Sequence, residues 1–504
     1  MSTAAAVVPT APAGPAGRPA PAWQPLTALA IGLAGLLVAF AGRYGYHRDE
    51  LYFLRAGREA AFGYADQPPF TPLLAAAMDA VAPGSLVALR LPSALAAAGV
   101  VLLAGLLARE FGGDRSAQLL AAACAAVSSV LLAAAHLLST TTFDLLFWAV
   151  VSWLLVRALR DGGRTWLLVG AVAGAALQNK VQPAFLLAAV VLGLLAVGPR
   201  SVFRSPWPWT AGLVAAALWT PNLVWQATHD WPQLQLAGAI AGGSSGTSEP
   251  WYLFLPFQLV LVSPLLFPVW MAGWWRLARD PALRTWRCFA VAYVALAVLF
   301  LVTGGKPYYL AGVYPLLLAA GADPALRWAR RVGTRARRLL VPALATSLAI
   351  GAVLMLPVLP ARWLPGSPVA AVNYDAGETV GWPRFADAVE RAHDRLPEDA
   401  RAVVLTGNYG EAGAVDRFAP DLGPAYSGHN SYWAWGPPPE DADAAVVVGL
   451  PQERLARWFA SVQAAGRIDN GLELDNDEQG ETVWLATDRR VPWSEIWPEL
   501  RRLA

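Results

Sequence analysis

The sequence predicts an α-helical, multi-spanning membrane protein of about eleven spans that ends in a small extracytoplasmic α/β domain. Three observations lead there. Of 504 residues, 56% are hydrophobic and only 15% are charged, with 23 Trp, which lies outside the range of soluble globular chains. Apolar runs near spanning length recur through the first 358 residues. Beyond residue 360 charges become frequent and the apolar runs shrink to "RAVVLTG", "DAAVVVGL" and "ETVWLATD", the length of strands.

Residues 1–24 are Ala- and Pro-rich with Arg18 as their one charge, the composition of a disordered tail. The run 25–42 could pass for a signal-peptide core, but the tail before it and the many runs after it favour a retained first helix. Further runs lie near 86–108, 116–135, 139–156, 165–177, 182–198, 208–226, 252–275, 288–303, 309–322 and 339–358, of which 165–177 and 309–322 are short. Residues 69–84 hold three Pro and Asp79, so they predict an interfacial helix. The transmembrane domain is thus 25–359. The α/β domain, 360–504, follows the Pro-rich "LPVLPARWLPGSP" and has helical stretches near 383–395, 410–418 and 451–464.

Charge asymmetry orients the chain. One alternate set of loops (109–115, 157–164, 200–204, 276–287 and 327–338) contains seventeen Arg; the opposite set contains four Arg and two Lys. Basic residues accumulate in short cytoplasmic loops, so the N-terminus is expected in the cytoplasm and the C-terminal domain outside a plasma membrane. A net charge of +2 gives no bulk attraction for nucleic acid. Cys124 and Cys288 lie in apolar segments and read as small buried hydrophobes, without disulfide or metal-ligand spacing.

With that orientation, unusual polar residues gather at the outer mouth. Asp49 and Glu50 follow the first helix in "RYGYHRDELYF", Asp66 and Gln67 close the same loop, and Asp144 lies about one turn inside a span in "STTTFDLLF". A charge at the bilayer centre costs about 2.5–3.5 kcal/mol on insertion scales, so Asp144 should face a wet cavity or a partner. Of 38 basic residues only Lys180 and Lys306 are Lys, and both sit at the outer mouth, where a compact ammonium suits a phosphate at headgroup level. Read alone, each lysine could equally snorkel to the interface, and the Arg-Asp-Glu run could be a salt-bridged helix cap. Together, carboxylates and ammoniums on one face suit a reaction in which a base takes a proton while cations hold a departing phosphate.

The motifs "RDELYF", "YADQPPFTPLL", "TTTFDLLFW", "GAALQNKVQPAFLL" and "GGKPYYLAGVYPLLL" resemble, in order and sidedness, the GT-C membrane glycosyltransferases of family 39, the group of protein O-mannosyltransferases and lipid A aminoarabinose transferases. The resemblance runs from residue 25 to about 325. It implies transfer of a sugar from a polyprenyl-phosphate donor to an acceptor hydroxyl on protein, cell-wall glycan or lipid. It implies Asp49 as general base with Glu50 beside it, and Asp144 as the second acid, which in some relatives helps bind a divalent metal (Mg or Mn). Lys180 and Lys306 become donor-phosphate contacts, with Asp66, Gln67, Tyr308 and Tyr309 as substrate-binding candidates. No other cofactor is called for. One departure stands out: aminoarabinose transferases have Glu-Lys before the Pro pair, where this chain has Asp66-Gln67.

Weaker candidates lie elsewhere. The Gly/Ser-rich outer loop 227–251 carries His229 and Glu249 and reads either as a substrate cover or as a plain connection. In "PAYSGHNSYWAWGPP", His429 and Trp433 suit sugar stacking or simple domain packing. The rival class is a secondary transporter or flippase. Transporters commonly place ionisable residues near the midplane of repeated halves, whereas here the acids gather at one face and no repeat is seen.

Overall fold

The computed structural model describes residues 18–243, 250–397 and 399–503. Most of the tail, 1–17, and Glu249 lie outside the described residues. In chain order the membrane part contains α1 (Trp23–Phe40), α2 (Arg48–Arg58), α3 (Phe70–Val81), α4 (Leu86–Glu110), α5 (Arg115–Ala126), α6 (Ser129–Ala135), α7 (Thr140–Asp161) and α8 (Thr165–Leu177). It continues with α9 (Gln182–Val197), α10 (Pro206–Thr228), α11 (Pro232–Ala241), α12 (Phe254–Val262), α13 (Phe267–Arg279), α14 (Cys288–Val302), α15 (Tyr314–Val332) and α16 (Thr334–Met355).

Among the described residues, five helical segments are long and apolar enough to cross a membrane, and seven if each of two bent pairs is one span; α3, α8, α9 and α14 are shorter apolar helices. The apolar runs expected as about eleven spans appear as helices of unequal length, of which fewer than eleven are long enough to cross by length and composition. The run 116–135 is α5 and α6, bent by 56°, and the run 252–275 is split by an 84° bend. At the second bend Ser263 takes φ 111° before Pro264, whose ring removes the N–H a continuous helix would use. The Ser263 hydroxyl is satisfied instead by Ser347 of α16 at 2.8 Å. The short run 309–322 is extended by a 3₁₀ stretch, Pro307–Val313, that leads into α15. Residues 18–22, expected to be disordered, are docked: Gln118 accepts from the Ala22 amide at 2.8 Å, and Arg109 donates to the Pro19 carbonyl at 2.8 Å.

The chain then forms α17 (Pro368–Val372), α18 (Tyr374–Gly377), α19 (Trp382–His393), β1 (Ala402–Thr406), α20 (Tyr409–Phe418), β2 (Ala425–Ser427), α21 (Ser431–Ala434), β3 (Ala444–Val448), α22 (Gln452–Leu455), β4 (Phe459–Arg467), β5 (Thr482–Arg489) and α23 (Trp493–Leu500). The sheet order is β2-β1-β3-β5-β4, with β1 parallel to β2 and β3, and β5 antiparallel to β3 and β4. The three strand-sized runs of the sequence became β1, β3 and β5. The helix expected over 451–464 is one short turn followed by β4, because pairing with β5 outweighs the helical periodicity of that segment.

This C-terminal unit shares a core with the membrane part. One apolar cluster joins Leu51, Tyr52 and Leu54 of α2 to Phe385 and Val389 of α19, Ala412 and Val415 of α20, and Val404 and Val446 of the sheet. Each fully buried large apolar side chain contributes about 1.5–3 kcal/mol, so the junction is a packed core. Two glycines permit the approach of α20 to α2. A Cβ at Gly410 would stand 2.7 Å from Arg48 Cβ, and one at Gly413 would stand 2.8 Å from Leu51 Cβ.

Candidate active site

The site begins where α2 begins. His47 caps the helix in an extended conformation, its Nδ1 accepting from the Asp49 amide at 3.2 Å, while Glu50 Oε2 accepts from the His47 amide at 2.8 Å. This reciprocal cap turns two adjacent carboxylates to opposite fates. Glu50 is fully buried: Arg90 of α4 reaches both its oxygens at 2.7 and 2.8 Å, and the Leu138 amide adds a bond at 2.8 Å. The same guanidinium donates to the carbonyls of Ala41 and Gly45, so Arg90 and Glu50 lock the loop to the bundle. Asp49 keeps 42% of its side chain exposed, has Oδ2 4.0 Å from His47 Nδ1, and accepts from the Tyr409 hydroxyl at 2.8 Å. Asp49 is thus the available carboxylate, whereas Glu50, expected beside it as a reacting group, is enclosed by its partners.

Asp66 closes the loop beneath these groups and accepts from the Tyr52 hydroxyl at 2.7 Å. Burial pushes its carboxyl up to about 7 against the effect of that bond, and the charge of Asp49 pushes the same way. Gln67 is buried, and its side-chain nitrogen finds no hydrogen-bond acceptor among the described residues.

The lysines come from the other side of the mouth. Asn179 donates to the Thr140 carbonyl and accepts from the Thr71 hydroxyl, both at 2.9 Å, which fixes the α8–α9 turn on the first turn of α7. Lys180 then donates to Thr141 at 3.2 Å and lies 5.4 and 5.5 Å from the rings of Tyr308 and Tyr309. Asp144, one turn further into α7, is buried, and its Oδ1 has no hydrogen-bond partner among the described residues. Burial lowers the Lys180 ammonium from its ordinary value, opposed by the charges of Asp144 and Asp49. Lys306 is held down to about 8, first by burial and then by Lys180, with Asp49 and Asp375 opposing. Lys180 thus lies within the field of Asp144 and Asp49, and Lys306 within that of Lys180 and Asp49, so the four groups share one mouth. Beside it lies a cavity of about 160 Å³ lined by Ile240, Phe254, Phe300, Leu301 and Pro307.

Other expected residues fall elsewhere. His229 is exposed at the end of α10, stacked on Trp225 at 4.1 Å and bonded to the Trp225 carbonyl, so it caps a helix. The Trp433 indole donates to the Trp497 carbonyl at 3.0 Å and packs inside the C-terminal unit; Tyr432 and Trp435 are the neighbours that reach Tyr52. His429 sits one layer back, its ring 4.7 Å from Tyr409 and its Nδ1 3.2 Å from Arg502. Among the described residues no three His, Cys, Asp or Glu side chains could together hold one ion, and the charge nearest Asp144 is the Lys180 ammonium.

Sequence reading missed Tyr409, Arg90 and Asp375. Asp375 of α18 stands 3.5 Å from His47, and Arg48 reaches Glu378 at 3.2 Å and Asp477 at 3.3 Å. All these contacts span long sequence separations, and no local pattern encodes them. The one available signal was the capped "NYGEAG" turn, whose spaced glycines mark a close helix approach rather than a phosphate loop.

Comparison with known proteins bears on this arrangement. Residues 66–225 match the model of the family described as dolichyl-phosphate-mannose-protein mannosyltransferase, a segment that includes Asp66, Gln67, Asp144 and Lys180. No curated protein matches the sequence. Among solved structures, ArnT from Cupriavidus metallidurans in the apo state is similar at 14% identity and TM-score 0.58, over 91% of this chain and 97% of that one. The same protein bound to undecaprenyl phosphate is similar at 15% identity, TM-score 0.58 and the same coverage. Mycobacterial arabinofuranosyltransferase AftD is similar at 15% identity and TM-score 0.49, over 92% of this chain and 40% of that one. The chain therefore has the fold of the GT-C membrane glycosyltransferases, with a mannosyltransferase-like segment through the centre of its membrane part.

Proposed function

We propose that this protein is a membrane glycosyltransferase that moves a sugar from a polyprenyl-phosphate donor to a hydroxyl of an extracytoplasmic protein, glycan or lipid. The observation that carries the reading is the meeting of an accessible, oriented carboxylate, Asp49, with two ammoniums at one mouth of the bundle. Two partly buried lysines, one of which lowers the other's affinity for protons, suit an anion, and a phosphate relieves both the repulsion and the desolvation. The cavity that Gly305 and Pro307 line on either side of Lys306, with Phe254, Phe300 and Leu301 in its wall, offers a place for the first isoprene unit. The arginine-rich loops then face the cytoplasm, and the α/β unit lies outside a plasma membrane.

In the reaction, Lys180 and Lys306 hold the donor phosphate, and the carboxylate of Asp144 favours the charged form of Lys180. Asp49 accepts the proton of the acceptor hydroxyl as its oxygen attacks the anomeric carbon. The bond from that carbon to the phosphate oxygen breaks, the electron pair leaves with polyprenyl phosphate, and in-line displacement inverts the anomeric centre. Glu50 acts through Arg90 as a structural anchor for the loop. The test is transfer of radiolabelled sugar from a panel of polyprenyl-phosphate sugars by purified protein in lipid. Transfer that is lost in Asp49→Asn supports the reading; no transfer from any donor, with solute movement across vesicles instead, replaces it with the transporter class.

A further inference from the structure

The carboxylate of Asp49 is held by a group from outside the membrane part. Tyr409 is the first residue of α20, and its hydroxyl crosses the junction to donate to Asp49 Oδ1 at 2.8 Å. The phenol has little freedom. Its ring lies 4.9 Å from Tyr52, 4.7 Å from the His429 ring and 5.6 Å from the Arg48 guanidinium. The helix that carries it is capped by Asn408 and Glu411 and seated on α2 at Gly410 and Gly413. Arg48, adjacent to Asp49, is tied into the same unit through Tyr374, Glu378 and Asp477.

We propose that Tyr409 is a positioning residue for the Asp49 base, so that the C-terminal unit completes the active site. This rests on the glycosyltransferase reading above. A phenol bonded to Oδ1 fixes the plane of the carboxylate and leaves Oδ2, 4.0 Å from His47 Nδ1, to receive the acceptor proton. It also stabilises the anion, which is the form a base needs. Burial and the charge of Asp49 hold the Tyr409 hydroxyl well above its ordinary value, so it remains a donor through the working pH range.

The test is Tyr409→Phe, which keeps the ring and its packing and removes the donor. kcat and KM are measured against pH in lipid beside the wild type. A hydrogen bond to a charged group corresponds to about ten- to hundredfold in rate, and that loss is expected in kcat. The KM for the donor stays near its wild-type value, because Lys180 and Lys306 are untouched, and the acidic limb of the kcat profile moves to higher pH. Wild-type kcat with an unmoved limb in Tyr409→Phe overturns this inference and leaves the broader reading standing. No transfer by the wild type overturns both. A thermal cycle tests the pair without activity: the double variant Asp49→Asn, Tyr409→Phe should lose less in Tm than the two single losses combined, and strict additivity overturns the pairing.

Discussion

The two ends of the bundle hold the same kinds of charge and treat them differently. At the arginine-rich end every prominent carboxylate is already answered. Buried Glu110 pairs with Arg160, with Arg18 at 3.2 Å and with Arg109 at 3.6 Å; Asp323 lies between Arg276 and Arg327; Asp114 meets Arg330 at 3.3 Å. At the lysine end the charges are left in tension. Asp144 has an oxygen without a hydrogen-bond partner among the described residues, Lys306 is held down to about 8, and Asp49 stays accessible. The contrast teaches that the charges at the arginine-rich end fasten helices together, while those at the lysine end are the ones the proposed function uses to hold an anionic substrate.

That contrast can be broken by mutation, beginning with the largest effect. Asp49→Asn should lose about 10²–10⁴ of the turnover with only a small loss in Tm, since general-base catalysis carries that much and the side chain contributes to stability chiefly through its bond to Tyr409. Glu110→Gln, at the other end, should do the reverse. It removes the buried carboxylate that three partly exposed arginines share, although Arg160 keeps Asp161, and it destabilises the protein by about 1–3 kcal/mol while leaving kcat as in the wild type, which thermal melting and transfer assays read separately.

The next effect concerns pH. An ordinary lysine keeps its proton to about 10.5, but Lys306 releases it near 8, so affinity for undecaprenyl phosphate should fall as pH rises above about 8. Lys306→Arg keeps its charge and should flatten that fall, as lipid-binding titrations at several pH values would show. The smallest effect is one of stability. Asp66 has a raised folded value of about 7 against 3.8, so the stability it contributes is complete below pH 4 and is lost as pH rises through about 7. The Tm of Asp66→Asn should therefore gain on that of the wild type between pH 5 and pH 8.

Much of this was legible in the sequence where composition and rarity carry information. Two lysines among 38 basic residues, both expected at the same mouth as the carboxylates, pointed to the candidate site in the sequence. The strands with continuous apolar runs were legible too. β4 was not, because "PQERLARWFASVQA" has helical spacing and becomes a strand through its partner β5. The bend at Ser263 hid in a continuous apolar run, since hydropathy does not register a backbone break. The contrasting fates of Asp49 and Glu50 were equally hidden. Adjacent acids look alike in a sequence, and what separates them is Arg90, forty residues from Glu50, and Tyr409, 360 residues from Asp49.

The most direct test of the receptor at the lysine end is the Kd for undecaprenyl phosphate in lipid nanodiscs near neutral pH, measured for the wild type, Lys180→Ala and Glu110→Gln together. Loss of one charge-assisted contact to the phosphate should weaken binding by about ten- to hundredfold in Lys180→Ala, while Glu110→Gln binds as the wild type does. Equal affinity of Lys180→Ala and wild type, or a larger loss in Glu110→Gln, would contradict the account.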